Sequence, residues 1–198
     1  MGSTTTGVPH RSVLAIDPTA PPPRREDLFA LEVPALVARF RIGVERFDHR
    51  LAELSNTQLD RPFPASAGVG LWPCRVLVGH LADAEIAFVH RMRRVAAEEH
   101  PILAPWDENQ FLDSRMYGDE RTGPKFPLGA FIATIHTLRQ WISEWLAVLP
   151  SEAWQRTGLH QERGEQTLRT IVEYDTFHVE HHALYLNQKV ALLAAERS

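Results

Sequence analysis

The sequence has a single cysteine, no long apolar run and no excess of positive charge, and each absence excludes a class of protein. One cysteine, Cys74, excludes an intrachain disulfide and fits a reducing compartment, so we expect a cytoplasmic protein. No apolar run approaches the roughly 18 residues that a membrane-spanning helix needs. The 198 residues carry 21 Lys and Arg against 25 Asp and Glu, a formal net charge of -4. This balance argues against a broad electrostatic contact with nucleic acid or with an anionic membrane.

The motifs of several common enzyme classes are also missing. The sequence has no Ser nucleophile elbow and no Gly-rich loop of the kind that binds phosphate. Its closest approach to a dinucleotide-binding fingerprint, Gly68 and Gly70, lacks the third glycine. Cys74 has no His/Asn signature around it, so it is better interpreted as a small core residue than as a nucleophile.

Apolar residues recur every three or four positions in four segments, which is the pattern of helices with one apolar face. No alternating apolar–polar run is long enough for a strand. Four apolar faces must be buried against one another, which predicts an all-α four-helix bundle. The four predicted helices cover about residues 28–54, 72–98, 127–149 and 165–194.

The segments outside these helices predict the organisation of the chain. We interpret residues 1–27 as a flexible N-terminal tail, because three consecutive prolines and a short polar run resist regular structure. Residues 28–198 then form a single domain, with a polar connector over 151–164. The connection over 99–126 is long enough to travel the length of the bundle. We therefore expect the second and third predicted helices to run parallel.

Ten histidines are the unusual feature of the composition. His178 and His182 are four residues apart on the last predicted helix, so they lie about 40° apart on one face and can share a metal ion. Both flank the apolar stripe of their helix, and His80 flanks the stripe of the second predicted helix in the same way. His181 is also within reach, so spacing alone does not fix the pair. A solvent-exposed pair that arises by chance is the alternative interpretation.

Acidic residues accompany these histidines along the same helix edges. Asp83 lies on the same edge of the second predicted helix as His80, and Asp175 lies on the same edge of the last predicted helix as His178. Burial of such groups without partners costs a few kcal/mol each, and a shared metal would offset this cost while the carboxylates orient the imidazoles. Asp83, Glu85 and Asp175 are therefore candidate orienting or proton-handling groups, with an exposed or helix-capping role as the alternative for each.

The segments that contain these histidines share further features. Residues 80–85 read HLADAE, with Trp72 before them and an Arg-Met-Arg triplet at 91–93 after them. Together with the segments 98–109 and 167–182, they resemble the DinB/YfiT-like metalloenzymes. The resemblance extends in layout over residues 28–195 and in detail over 72–112 and 165–188.

The resemblance implies a four-helix bundle that binds one divalent metal through three histidines. In this chain these are His80, His178 and His182, with His181 as a neighbour. Many members have Gln or His where this chain has Tyr185. This chain therefore departs from the family pattern on the substrate side of the metal-binding pocket that the resemblance implies, and not at the metal ligands. Members are described as metal-dependent hydrolases or as transferases that use small thiols, and homodimers are common among them. We therefore expect a homodimer that acts on a small-molecule substrate, with no nucleic acid or membrane as partner.

Three neutral imidazoles leave the charge of a divalent ion uncancelled and leave coordination positions open. Such an ion is a Lewis acid that lowers the pKa of a bound water to about 7, so the first hypothesis is a hydrolase. The alternatives are a transferase that activates a small thiol at the same site, a non-catalytic metal-binding bundle, and a bundle without metal. Imidazole suits zinc, nickel, copper or iron. Asp107 and Glu108, in the connection between the second and third predicted helices, are candidates for substrate contact.

Overall fold

The computed structural model describes residues 14–118 and 126–196, and most of them are helical. Among these residues, four helices form a bundle, and three helices of four to six residues lie outside it. In chain order, the helices of the described residues are α1 (Glu26–Phe29), α2 (Val33–Arg41), α3 (Asn56–Leu59), α4 (Cys74–Ala97), α5 (Glu108–Asp113), α6 (Leu128–Ala147) and α7 (Leu168–Ala195). The bundle consists of α2, α4, α6 and α7, as the apolar pattern predicts.

The first bundle helix is much shorter than its apolar pattern indicates. α2 has Pro34 in its first turn, a position that proline favours, and it ends at Arg41. The prediction that this helix continues to residue 54 is wrong, because residues 44–53 contain two short 3-10 turns. At Gly43, just after the helix, an added Cβ would lie 2.5 Å from the Cδ atom of Arg139. The absence of a side chain at Gly43 therefore lets the chain pass close to α6 where the helix has ended.

The helices α4 and α6 run parallel, which confirms the predicted crossover. Glu85 of α4 forms an ion pair with Arg139 of α6. Arg93, further along α4, lies over the ring of Trp145, which is further along α6. Contacts that advance together along both helices require the same direction, so the connection between them returns along the length of the bundle.

The helix α7 runs antiparallel to α4 and completes the bundle. His80 of α4 meets His178 of α7, whereas Phe88, further along α4, meets the earlier residue Tyr174. Both α6 and α7 pack against α2 and against α4, so α2 and α4 occupy opposite corners. This arrangement places the histidines of two distant segments on facing helices.

A small three-stranded sheet lies beside the C-terminal end of α4. Its strands are β1 (Ile102–Leu103), β2 (Thr157–His160) and β3 (Gly164–Thr167), with β1 parallel to β2 and β2 antiparallel to β3. The prediction of no strands is wrong here, because strands of two to four residues are too short to show an alternating pattern. Since β3 extends to Thr167, the last helix begins at Leu168 rather than at residue 165. The Thr167 side chain caps this helix by accepting a hydrogen bond from the backbone N–H of Thr170.

Apolar residues of the bundle form two buried clusters. Members from α4, α6 and α7 are Leu81, Ile135 and Val179 in one cluster and Met92, Ile142 and Val172 in the other. Between the two clusters, along these same helices, lie the buried charged residues Glu85, Arg139 and Asp175. No helix of the described residues combines the length and apolar character needed to cross a membrane.

Part of the segment predicted as a tail packs on the bundle. Residues 1–13 lie outside the described residues. The backbone N–H of Ile16 donates to the carbonyl of Arg46, and the carbonyl of Ile16 accepts from the Asn187 side chain on α7. The division into a tail and a domain at residue 28 stays a prediction, although residues 14–27 contribute these contacts to the bundle.

Candidate metal centre

Three histidines meet where α4 and α7 face each other. His178 and His182 lie one turn apart on α7, as their spacing predicts, and His80 faces them from α4. The Nε2 atoms of His80 and His178 are 3.2 Å apart. One ring nitrogen from each of the three residues lies within 4.8 Å of the other two. The structure therefore brings together the three residues that were predicted as ligands.

Burial keeps these imidazoles neutral. It lowers the pKa of His80 from 6.5 to about 4. Burial, together with the neighbouring histidines His80 and His181, lowers the pKa of His182 to about 3. The pKa of His178 is also well below its usual value, first because of burial and then because of the adjacent imidazoles. Neutral rings carry the free lone pairs that a metal ion requires.

The arrangement of the ring nitrogens fits a divalent metal. A tetrahedral zinc ion with Zn–N bonds of about 2.0–2.1 Å would hold its nitrogen ligands roughly 3.3 Å apart, close to the separation of His80 and His178. The Nδ1 atoms of His80 and His178 are buried and have no hydrogen-bond partner among the described residues. A hydrogen bond at Nδ1 would fix which nitrogen of the ring carries the proton, and neither ring has such a bond to a described residue. Each ring can therefore carry its proton on Nδ1 and use the lone pair of Nε2 to bind a shared cation.

Two tryptophans enclose His80. The indole of Trp106 stacks on the imidazole, with ring centres 5.2 Å apart and an interplanar angle of 24°. The ring of Trp72 meets the same imidazole at its edge, with ring centres 5.1 Å apart. No sequence pattern described above predicts that either tryptophan contacts the candidate ligand. The segment 98–109 that carries part of the family resemblance includes Trp106, and it is the signal that could have indicated this role.

The carboxylates that were predicted to orient the imidazoles lie elsewhere. Arg139 binds Glu85 and Asp175 over 2.7 and 2.9 Å at the centre of the bundle. Burial raises the pKa of Asp175 well above its usual value, and the neighbouring Glu85 adds to this effect. Asp83 lies beside Tyr117, and burial raises the pKa of Asp83. Among the described contacts, none of the three carboxylates binds an imidazole nitrogen, so their predicted orienting role has no contact to support it.

The remaining predicted residues lie around the histidines. The ring of His181 lies 5.3 Å from that of His182 and 5.1 Å from that of Tyr185. Asp107 caps α5 by accepting hydrogen bonds from two backbone N–H groups, which gives it a structural role. Glu108, the next residue, places its Oε2 atom 3.9 Å from His80 Nε2. Of the two acidic residues predicted for substrate contact, Glu108 is therefore the one beside the site.

Two cavities give access to the histidines. A cleft of about 850 Å³ has His178 and His182 in its wall, together with Glu108 and Trp106. A pocket of about 290 Å³ lies against His182 from another side and is lined by Tyr185 and Lys189. A metal held by the three histidines would thus be open to a small molecule in the larger cleft.

Comparison with known proteins places the chain in a family. The model of the DinB superfamily matches residues 67–186, which is more than half of the chain. Two relatives from Oceanobacillus iheyensis, each named "Putative metal-dependent hydrolase", are 25% identical over 135 residues and 24% identical over 149 residues. The first match covers 68% of this chain and 72% of the relative, and the second covers 75% and 81%.

A solved structure shows a similar fold. It is that of YfiT from Bacillus subtilis, described as a probable metal-dependent hydrolase with an unusual four-helix bundle topology. The two structures align with a TM-score of 0.63 at 18% sequence identity, over 93% of this chain and 97% of YfiT. With the fold, the histidine cluster and the family match all in place, the chain belongs to the DinB superfamily.

Proposed function

We propose that the protein is a metal-dependent hydrolase in which His80, His178 and His182 hold one divalent metal ion. The observation that carries the proposal is the cluster of three neutral imidazoles whose ring nitrogens lie within 4.8 Å of one another, two of which, His178 and His182, are in the wall of a cleft large enough for a small molecule. Three protein ligands leave coordination positions open, as in catalytic rather than structural sites. The names of the curated relatives support hydrolysis as the reaction.

The side chains around the histidines have separable tasks. A divalent ion held by three imidazoles supplies Lewis-acid chemistry and lowers the pKa of a coordinating water to about 7. Trp106 and Trp72 exclude bulk water from His80 and fix the plane of its ring. Glu108 is half exposed and places its Oε2 atom 3.9 Å from His80 Nε2, so this oxygen is positioned to accept a proton from a nucleophile that enters the cleft.

The metal content of untagged protein tests the ligand set. We expect roughly one metal ion per chain in the wild type and a large loss in His80→Ala and His178→Ala. His136→Ala is the matched control, because His136 is half exposed and lies beside Glu45, away from the cluster. Unchanged metal content in His80→Ala would show that the assigned ligand set is wrong.

A panel of esters and amides, assayed with and without chelator, tests the reaction. We expect hydrolysis that is lost on chelation, regained with added metal and reduced in Glu108→Gln. The alternative of thiol transfer stays a prediction, and mixtures of a small thiol with an electrophile in the same panel test it. A protein that binds metal but turns over neither set would be a non-catalytic metal-binding bundle.

A further inference from the structure

One buried arginine in the large cleft has no carboxylate partner in the part of the chain that the structure describes. Among the described residues three arginines are buried, and two of them form ion pairs, Arg75 with Asp60 and Arg139 with Glu85. Arg91 is 8% exposed, and no carboxylate of the described residues lies within ion-pair distance of it. Its Nη2 atom donates one hydrogen bond, to the carbonyl of Ala104, and its other N–H groups remain available. A buried guanidinium without an anion is costly, and an anionic ligand would offset that cost.

Arg91 lies in the wall of the same cleft as the candidate metal ligands. The ring of Phe88 is 5.8 Å from the His178 ring and 5.5 Å from the guanidinium carbon of Arg91. One aromatic ring therefore separates the guanidinium from the candidate metal centre. A small molecule in the cleft can contact Arg91 with one end while its other end reaches the histidines.

Two further nitrogen donors line this part of the cleft. The guanidinium of Arg163 lies 4.3 Å from the ring centre of Tyr174. His160 is buried, and its Nδ1 atom accepts hydrogen bonds from the backbone N–H groups of Glu162 and Arg163. Because Nδ1 accepts, the proton of the neutral ring is on Nε2, which makes that atom a donor.

The acidic residues of the cleft do not neutralise Arg91 directly. Asp107 is held by the backbone N–H groups that it caps. Glu108 lies next to His80. Glu162 contributes its backbone N–H to His160, and its exposed carboxylate acts on Arg91 through its charge without forming an ion pair. The positive side of the cleft thus remains open to an anion from solution.

We propose that Arg91, assisted by Arg163 and His160, binds an anionic carboxylate or phosphate group of the substrate, whose reacting bond then lies towards His178 and His182. This inference rests on the proposed function because it assigns the substrate to the same cleft. The walls between the two ends are aromatic and include Phe88, Trp106 and Phe177, so the body of the substrate is apolar or flat.

Calorimetric titration with two isosteric probes tests the proposal without relying on catalysis. The probes are 3-phenylpropionate and the uncharged 3-phenylpropionamide, each titrated into protein as purified and after chelation. We expect the carboxylate to bind about tenfold or more tightly than the amide in both preparations, because a charge-assisted pair with arginine is strong. 2-Phenylethylphosphonate, which keeps the two-carbon spacer of 3-phenylpropionate, establishes which of the two anionic groups the cleft prefers.

Variants identify the residue that is responsible. Arg91→Gln keeps a donor for the Ala104 carbonyl and should reduce the preference for the anion to near unity. Arg93→Gln is the matched control, since Arg93 is on the same helix but exposed over Trp141, and it should keep the preference. Arg163→Gln changes an exposed residue and should weaken the preference, which keeps the proposal testable if Arg91→Gln does not fold.

The outcomes separate this inference from the proposed function. Equal binding of both probes, no detectable carboxylate binding, or a preference unchanged in Arg91→Gln and Arg163→Gln would overturn the inference. A preference that disappears on chelation but not in Arg91→Gln would place the anion on the metal, which overturns the inference and supports the proposed function. A preference that survives chelation and requires Arg91 supports the inference even if no hydrolysis is found.

Discussion

The guanidinium of Arg139 donates to the carboxylate of Glu85 over 2.7 Å, and both side chains are completely excluded from solvent. The same guanidinium also binds Asp175 over 2.9 Å and donates to the carbonyl of Phe40. One side chain of α6 thereby contacts α2, α4 and α7, which ties all four bundle helices together. Asp175 lies one turn before His178, so this buried group also fixes the part of α7 that carries two candidate ligands.

Arg139→Leu tests how much this buried group of charged residues contributes to the free energy of unfolding. The substitution leaves two carboxylates buried without a cation, so we expect the free energy of unfolding to fall by about 3–5 kcal/mol. Urea unfolding followed by circular dichroism measures the change. Arg61→Ala, which removes an exposed ion pair with Glu196, should change it by less than about 1 kcal/mol. A similarly small effect for Arg139→Leu would show that the buried group contributes little to stability.

Acid should destabilise the metal-free protein through its buried histidines. His80 and His182 have folded-state pKa values of about 4 and about 3, whereas an unfolded histidine titrates near 6.5. Between these values the unfolded chain binds more protons than the folded chain. The stability that the two neutral histidines contribute is therefore fully present above pH 6.5 and is lost progressively as the pH falls from 6.5 through 4 towards 3.

Comparison of the wild type with His80→Gln isolates this effect. Midway through the window, one histidine contributes a slope of about 1.4 kcal/mol per pH unit to the free energy of unfolding. The pKa of Asp175 is raised in the folded protein, so at pH values above its pKa in the unfolded chain this carboxyl group makes stability fall as the pH rises. This opposite effect is present in both proteins. Urea unfolding of chelator-treated protein at several pH values should give a shallower slope for His80→Gln. Identical slopes would contradict the neutral state assigned to buried His80.

The sequence predicts the bundle and the histidine cluster because both depend on helical periodicity. The stripes around Leu81 and Val179 indicate which faces are buried, and the spacing of His178 and His182 places both on one face. Packing α4 and α7 with these faces inward brings His80 to the same interface as the pair, but helical periodicity does not fix how far along that interface it lies. The family resemblance adds the choice of His80 over other histidines.

The parts that the sequence did not predict depend on tertiary packing. α2 stops at Arg41 although the apolar spacing continues, and Gly43 just beyond it packs so closely against the Arg139 side chain that a larger residue would clash. Residues of the small sheet are too few for a periodic signal, yet this sheet places His160 in the cleft. Arg139 was not singled out at all, since a lone arginine on a mostly apolar helix carries no spacing that identifies its buried partners. The predicted homodimer and cytoplasmic location stay predictions.

The single thiol should be unreactive in the folded protein. Cys74 is fully buried at the first turn of α4, and burial raises its pKa from 9.0 to about 12. Because the thiolate is the reactive form, we expect very slow reaction with Ellman's reagent at pH 8 in native buffer. In urea the same thiol should react completely within minutes. Fast reaction without denaturant would show that the N-terminal end of α4 opens readily.

Two glycine substitutions test the packing next to the candidate metal centre. At Gly79, which precedes His80 on α4, an added Cβ would lie 2.5 Å from the Cδ1 atom of Tyr117 and 3.2 Å from Phe131. Gly79→Ala should therefore displace the tyrosine and lower the free energy of unfolding by about 1–3 kcal/mol. At Gly129, near the start of α6, an added Cβ would meet no atom of the described residues within 4 Å, so Gly129→Ala should raise the free energy of unfolding by about 0.4–1 kcal/mol through helix propensity.

Because Gly79 is adjacent to His80, the first substitution should also weaken metal binding, whereas Gly129→Ala should leave it unchanged. Thermal unfolding and metal content, measured on both variants, check the two effects together. If Gly79→Ala stabilised the protein as much as Gly129→Ala does, the close packing of Tyr117 against α4 would be wrong. If Gly79→Ala lost metal but kept its stability, Tyr117 would move aside at little energetic cost, and the accompanying displacement of His80 would be what weakens metal binding.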